Sequence, residues 1–175
     1  MSKEAIAEVI HLYPTVLDSH SWDLFDAIFT PDVEADYSSH LHWFDLASFK
    51  RDFSASHEAS GGHQHFLGVP QIVLDGDRAF ALTYGHFHFF RTSPAPDDFD
   101  LSKGGAWYDD ELVRTSAGWR IKRRIARNFW WQGARPEEGP APRVVESFPE
   151  WAKSGRSPYM NALREQLMRD AVMTG

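Results

Sequence analysis

In the first third of the chain, apolar positions recur every three or four residues. Ile6, Val9, Ile10, Tyr13, Val16 and Leu17 form one such stripe, which predicts an amphipathic helix. Pro14 interrupts it, because the ring removes a donor and crowds the preceding turn. Trp22, Phe25, Ile28 and Phe29 predict a second helix with Ser21 placed to cap it, and Thr30-Pro31-Asp32 should end it. Val33, Ala35 and Tyr37 then alternate with Glu34 and Asp36, the signature of a strand. Leu46, Phe49 and Phe53 suggest a third, short helix.

From residue 64 onward the period changes to two. "QIVLDGDRAFALTYGHFHFF" reads as two strands turned at Asp75-Gly76-Asp77, with Phe80, Leu82, Tyr84, His86, His88 and Phe90 on one face. Beyond a polar, proline-bearing loop, "AWYDDELVRT" and "WRIKRRIARNFWW" form another pair turned at Ser116-Ala117-Gly118. Helices first and long antiparallel strands after define an α+β fold, with the helices covering one face of a curved sheet. Residues 133–157, rich in proline, glycine and charge, read as an extended arm. Tyr159, Leu163, Leu167 and Ala171 mark a terminal helix.

Composition narrows the function. The 175 residues are 42% hydrophobic and include seven Trp and thirteen Phe, enough for a core and for a lined cavity. A formal charge of −7 argues against a broad nucleic-acid surface. Without cysteine there is no disulfide, thiolate nucleophile or Cys-based metal site, which fits a cytoplasmic setting. Charged residues break up "MSKEAIAEVIHLY", so neither a secretory signal nor a membrane span is expected there. The expected partner is a small hydrophobic substrate, not nucleic acid or a membrane.

Three His-x-His pairs stand out: His40/His42, His63/His65 and His86/His88. Residues two apart on a strand share a face, so each pair could chelate. No carboxylate follows His65 or His88 closely, and Asp45 follows the first pair in a loop, which argues against a metal centre. A general base needs instead a carboxylate to fix one imidazole tautomer. Asp18, at the end of the first helix, is the best candidate; it also suits a helix-terminal role. Arg127 shares strand parity with Trp119, Ile121, Ile125, Phe129 and Trp131, and an arginine on an apolar face needs a carboxylate or a substrate oxygen. Asp109 and Glu111 are its structural alternatives. Arg123 has the same parity, a hint of a bulge, and "RIKRR" otherwise reads as a solvated face.

The stretches "LYPTVLDSHSWDLFDAIFTPDVEADYS", "GHQHFLGVPQIVLDGDRAFA" and "GGAWYDDELVRTSAGWRIKRR" together resemble the SnoaL-like branch of the nuclear transport factor 2-like superfamily. That branch includes scytalone dehydratase, hexachlorocyclohexane dehydrochlorinase and bile-acid 7α-dehydratase. The resemblance runs from about residue 5 to 133, and Gly118-Trp119-Arg120 is its fold-specific motif. It implies a cone over residues 1–133, a bent antiparallel sheet round a long helix enclosing an apolar pocket. Residues 134–175 are then an arm and helix serving as a lid or an oligomer contact. It implies proton transfer by a histidine–aspartate pair without cofactor or metal. Asp18 and His65 match that pair, Tyr13 and Tyr37 match pocket tyrosines, and Arg127 falls close to an arginine of the last strand. His88, Tyr108, Phe129 and Trp131 are the expected pocket residues. Leu17 stands where scytalone dehydratase has a second tyrosine, and that enzyme's serine–asparagine pair falls near Ala106 and Tyr108. The implied activity is a lyase, by dehydration or by C–C cleavage releasing formaldehyde. The alternatives are an isomerase or cyclase of the ketosteroid type, or a non-catalytic small subunit of a ring-hydroxylating oxygenase. A homo-oligomer, dimer or trimer, is expected on the same grounds.

Overall fold

The structure, a computed structural model, describes residues 2–38, 41–58, 62–92, 99–133 and 143–174. The first stripe is helix α1, Lys3–Asp18, with Ile6, Ile10, Tyr13, Val16 and Leu17 buried. His20 ends it in the left-handed region (φ 54°), where its N–H bonds to the Leu17 carbonyl and that of Ser21 to Val16. This is a Schellman stop built on a histidine instead of the usual glycine. The second stripe is a 3-10 turn, Trp22–Ala27, that buries Phe25. Ser21 makes no capping bond to it.

The strands are β1 (Phe29–Ser38), β2 (Leu41–Trp43), β3 (Gly62–Leu67), β4 (Gln71–Asp75), β5 (Arg78–Thr92), β6 (Phe99–Thr115), β7 (Gly118–Gln132) and β8 (Arg143–Val144). Helix α2, Leu46–Glu58, fills the third helical stretch. Thr30-Pro31-Asp32, expected as a stop, lies within β1. The reason is a break in pairing: β1 meets β7 in parallel at Phe29↔Ile121 and again only at Glu34↔Arg123, so Pro31 sits where no ladder donor is needed. Among the described residues one sheet runs β2-β1-β7-β6-β5-β3, with β4 added to β5 and β8 to β7.

The curved sheet has a core on each face. The inner one packs α1, the 3-10 turn and α2 against Val33, Ala79, Ala81, Phe87, Tyr108 and Leu112. Small residues on the inner face of β5 make room for it: a Cβ at Gly85 would lie 2.8 Å from Leu67 and 3.0 Å from the Tyr108 ring. On the outer face, Val73, Leu82, Trp107 and Ile125 pack beneath Trp151 of α3 (Phe148–Lys153) and Tyr159 of α4 (Pro158–Thr174). The stretch expected as an extended arm therefore carries β8 and α3, and residues 134–142 of it lie outside the described residues.

Two bulges in β7 set which of its side chains face inward. Lys122 is unpaired between Glu111↔Arg123 and Leu112↔Ile121, and Phe129 between Gly105↔Trp130 and Ala106↔Asn128. Each extra residue reverses the alternation. Trp119 and Ile121 point in, then Arg124, Ala126 and Asn128, then Trp131.

Candidate active site

The inner face encloses a cavity of about 390 Å³ between α1, α2 and the sheet. Phe53, Phe87, Phe89, Trp43 and Trp131 give it an apolar wall; Tyr13, Tyr37, Tyr108, His57, His65 and Asn128 supply polar groups, with Asp52, Ser56 and Ser102 also on the lining. Such a mixture of polar groups and aromatic rings suits a small organic ligand.

Asp18, the last residue of α1, lies behind this wall. Its Oδ1 accepts a 2.7 Å bond from His65 Nδ1 and its Oδ2 a 2.9 Å bond from the His65 backbone N–H. A carboxylate at a helix C-terminus opposes the helix dipole, so helix stability does not account for its position; the paired bond to β3 does. Burial pushes the Asp18 carboxyl up, but the hydrogen bonds from His65 outweigh it and leave the group below its ordinary value. Because Nδ1–H is given to an ionised carboxylate, the other ring nitrogen, Nε2, carries the lone pair. The His65 side chain is 5% exposed and lines the cavity. The arrangement can take up a proton and hold the resulting imidazolium against Asp18.

Beside it is a short ladder of histidines. His63 Nε2 donates to the His57 carbonyl at 3.0 Å, so its Nδ1 accepts from His20 Nε2 at 3.2 Å. His57 gives its own Nδ1–H to the Phe53 carbonyl at 2.8 Å. Burial drives the His57 pKa down to about 4, and burial and His20 lower that of His63. Both are neutral rings at neutral pH. Among the described residues no group of three or more His, Asp or Glu side chains is placed to hold a metal ion; His40 lies outside them, and His42 faces Glu34 at 3.3 Å.

The tyrosines form the opposite wall. Tyr13 and Tyr37 share a 2.8 Å bond between hydroxyls. Burial raises the pKa of Tyr13, Tyr37 and Tyr108, so all three stay protonated and can donate. Behind them Arg124, fully buried, forks onto Asp110 at 2.8 and 2.7 Å.

Of the residues expected at the site, the structure brings Asp18, His65, Tyr13, Tyr37, Tyr108 and Trp131 together. Arg127, Phe129 and His88 are corrections. Arg127 is on the outer face, bonded to the Asp36 carboxylate at 2.8 Å with Glu146 at 3.3 Å. Phe129 packs outside against Trp107, and His88 lies outside beside Phe66 and Phe90. Uninterrupted alternation misplaces Arg127 because the Lys122 bulge intervenes. It misplaces Phe129 because that residue is itself the bulge. His88 shares the parity of exposed His86, opposite to inward Phe87 and Phe89. The same slip hid Arg124 within a supposedly solvated run. His57 and Asn128 were missed too; the four-residue spacing of Phe49, Phe53 and His57 could have flagged the first.

The comparisons agree with this architecture. The SnoaL-like domain family matches residues 1–125, and the chain belongs to that family. Rv2910c of Mycobacterium tuberculosis, an uncharacterized protein, is 32% identical over 124 residues, covering 69% of this chain and 80% of that one. An NTF2-like protein with a cystatin-like fold from Novosphingobium aromaticivorans superposes with a TM-score of 0.59 at 25% identity, over 72% of this chain and 80% of that one. A type 2 hexachlorocyclohexane dehydrochlorinase (LinA) superposes with a TM-score of 0.66 at 10% identity, over 77% and 89%, a likeness of fold. No helix among the described residues is long and apolar enough to cross a membrane.

Proposed function

We propose that the chain is a cofactor-independent lyase of the cytoplasm acting on a small, hydrophobic, oxygenated aromatic or polycyclic substrate. The observation that carries this reading is the His65–Asp18 pair, 2.7 Å apart, set into the wall of an aromatic cavity. Membership of a family whose fold is shared by a dehydrochlorinase supports it.

His65 Nε2 takes a proton from a carbon next to a carbonyl, and the electron pair moves to the carbonyl oxygen. The Tyr13–Tyr37 pair, with one hydroxyl proton left to give, bonds to that oxyanion. The enolate then re-forms the carbonyl and expels a β-hydroxyl, which takes the proton from the His65 imidazolium and leaves as water. Asp18 stays ionised and holds the ring throughout. In the C–C variant, His65 removes the proton of a β-hydroxymethyl group, formaldehyde departs, and the enolate carbon takes the proton back.

The test is turnover by EDTA-treated protein on a panel of hydroxylated aromatic dimers, steroids and β-hydroxy ketones, followed by product mass. Loss of water or formaldehyde is expected, and His65→Ala should slow it by about 10²–10⁴-fold. A product of unchanged mass would make the protein an isomerase, and undiminished turnover by the variant would remove His65 as the base. A homo-oligomer, dimer or trimer, is part of the same proposal, and light scattering reads it directly.

A further inference from the structure

Arg124 has no place among the groups that touch a ligand in this scheme, yet it is a fully buried cation in the inner core. Its Nε and Nη2 are committed to Asp110. Its flat face lies 4.3 Å from the Tyr13 ring and 4.8 Å from the Tyr108 ring, both of which line the cavity. Its Nη1 is buried outside that fork, and the guanidinium lies close enough to the Tyr37 hydroxyl to act on it. An ion pair taken wholly out of water is a poor way to fill space, since apolar residues of the same volume do it as well or better.

We infer that Arg124 is a positioning residue: from behind the cavity wall it fixes the Tyr13–Tyr37 hydroxyl pair and biases the cavity toward planar ligands that carry an enolate- or phenolate-like oxyanion. The inference rests on the proposed role of the tyrosines but not on that of His65. Its direction follows from the surroundings. Burial pushes Tyr37 and Tyr108 toward the neutral form, and Arg124 opposes it at both. At Tyr37 its pull also exceeds the contrary push of Asp110. Tyrosines held protonated beside a cation donate strongly to an anionic oxygen and cannot become anions themselves.

The experiment uses 4-nitrophenol, whose phenol and phenolate absorb at different wavelengths, titrated with pH free and bound. The wild type should bind the phenolate preferentially, lowering the apparent pKa of the bound probe. The double variant Asp110→Leu/Arg124→Met leaves no unpaired charge and should lose roughly tenfold of that preference, and Tyr37→Phe should lose a similar amount. Adding Tyr37→Phe to the double variant should cost little more, because the two act through one contact. A folded double variant with the wild-type preference would overturn the inference. If that variant does not fold, Tyr37→Phe alone decides: full retention overturns it. Loss of the preference in His65→Ala would also overturn it, by assigning charge recognition to the imidazole. Retention there, together with undiminished turnover, would remove His65 as the base and leave this inference standing.

Discussion

Asp109 and Asp110 are neighbours on β6 and stand back to back across the sheet, both with 0% exposure. Asp110 points inward and is met by a cation, Arg124, in a two-pronged bond. Asp109 points outward and, among the described residues, is met by neutral donors: Trp151 Nε1 at 3.2 Å, the Tyr159 N–H at 2.9 Å and the Ser157 hydroxyl. Burial raises the Asp109 pKa, with those bonds working against it. The inner carboxylate holds an arginine behind the wall of a cavity; the outer one pins α3 and α4 to the sheet. Two adjacent side chains of one type thus serve two cores, and the difference lies in what each faces.

Breaking the inner pair should cost most. Asp110→Asn or Arg124→Met leaves a buried partner charge unmatched and should lower stability by about 3–5 kcal/mol, whereas replacing both by apolar residues should recover most of the loss; urea unfolding measures each. Asp109→Ala strands three donors and should cost about 1–3 kcal/mol, with proteolysis of α3 and α4 well before the rest of the chain. The faces should also differ in their response to pH. His57, in the inner wall, has its folded pKa lowered from 6.5 to about 4 by burial. Its contribution is therefore complete above 6.5 and drains away as pH falls from there toward 4. Asp109 has the opposite sign: its folded pKa is raised above 3.8. Docking of the C-terminal helices is thus favoured most below 3.8 and weakens as pH rises through its folded value. His57→Phe should flatten the first dependence and leave the second, in unfolding series followed by tryptophan fluorescence. Smallest is Ser157→Ala, which removes the hydroxyl that accepts from the Met160 N–H at 3.1 Å and donates to Asp109, while two donors to Asp109 remain. About 1–2 kcal/mol is expected.

Periodicity located α1, α2, β1 and the long hairpins because each is long enough to repeat its pattern several times. It did not locate α3, a six-residue helix, whose only local marks are Ser147 as cap and Pro149. The Asp18–His65 pairing spans 47 residues; it entered through the family resemblance, since helix ends attract polar residues for many reasons. The arginines show the limit most plainly. Arg123, Arg124 and Arg127 look alike in the chain, and only the bulge at Lys122 decides that Arg124 is inside. Nothing at Lys122 announces a bulge except the parity conflict that Arg123 raised.

The paired bulges make β7 behave like a sentence read in two frames. The segment from Arg123 to Asn128 is out of phase with both ends of its own strand, and the second bulge restores the phase before Trp131. Deleting Lys122 alone would bring Ile121 and Arg124 two residues apart, both still inward opposite Leu112 and Asp110, and would remove only the local kink. Removing both extra residues would give β7 one uninterrupted alternation with the same pairings, Arg124 still inside against Asp110 and Arg123 still opposite Glu111. For a chemist redesigning this cavity, the bulges are therefore a control on the bend of its wall that leaves the lining residues in place. A relative lacking the residue at Lys122 would keep the same interior on a straighter strand.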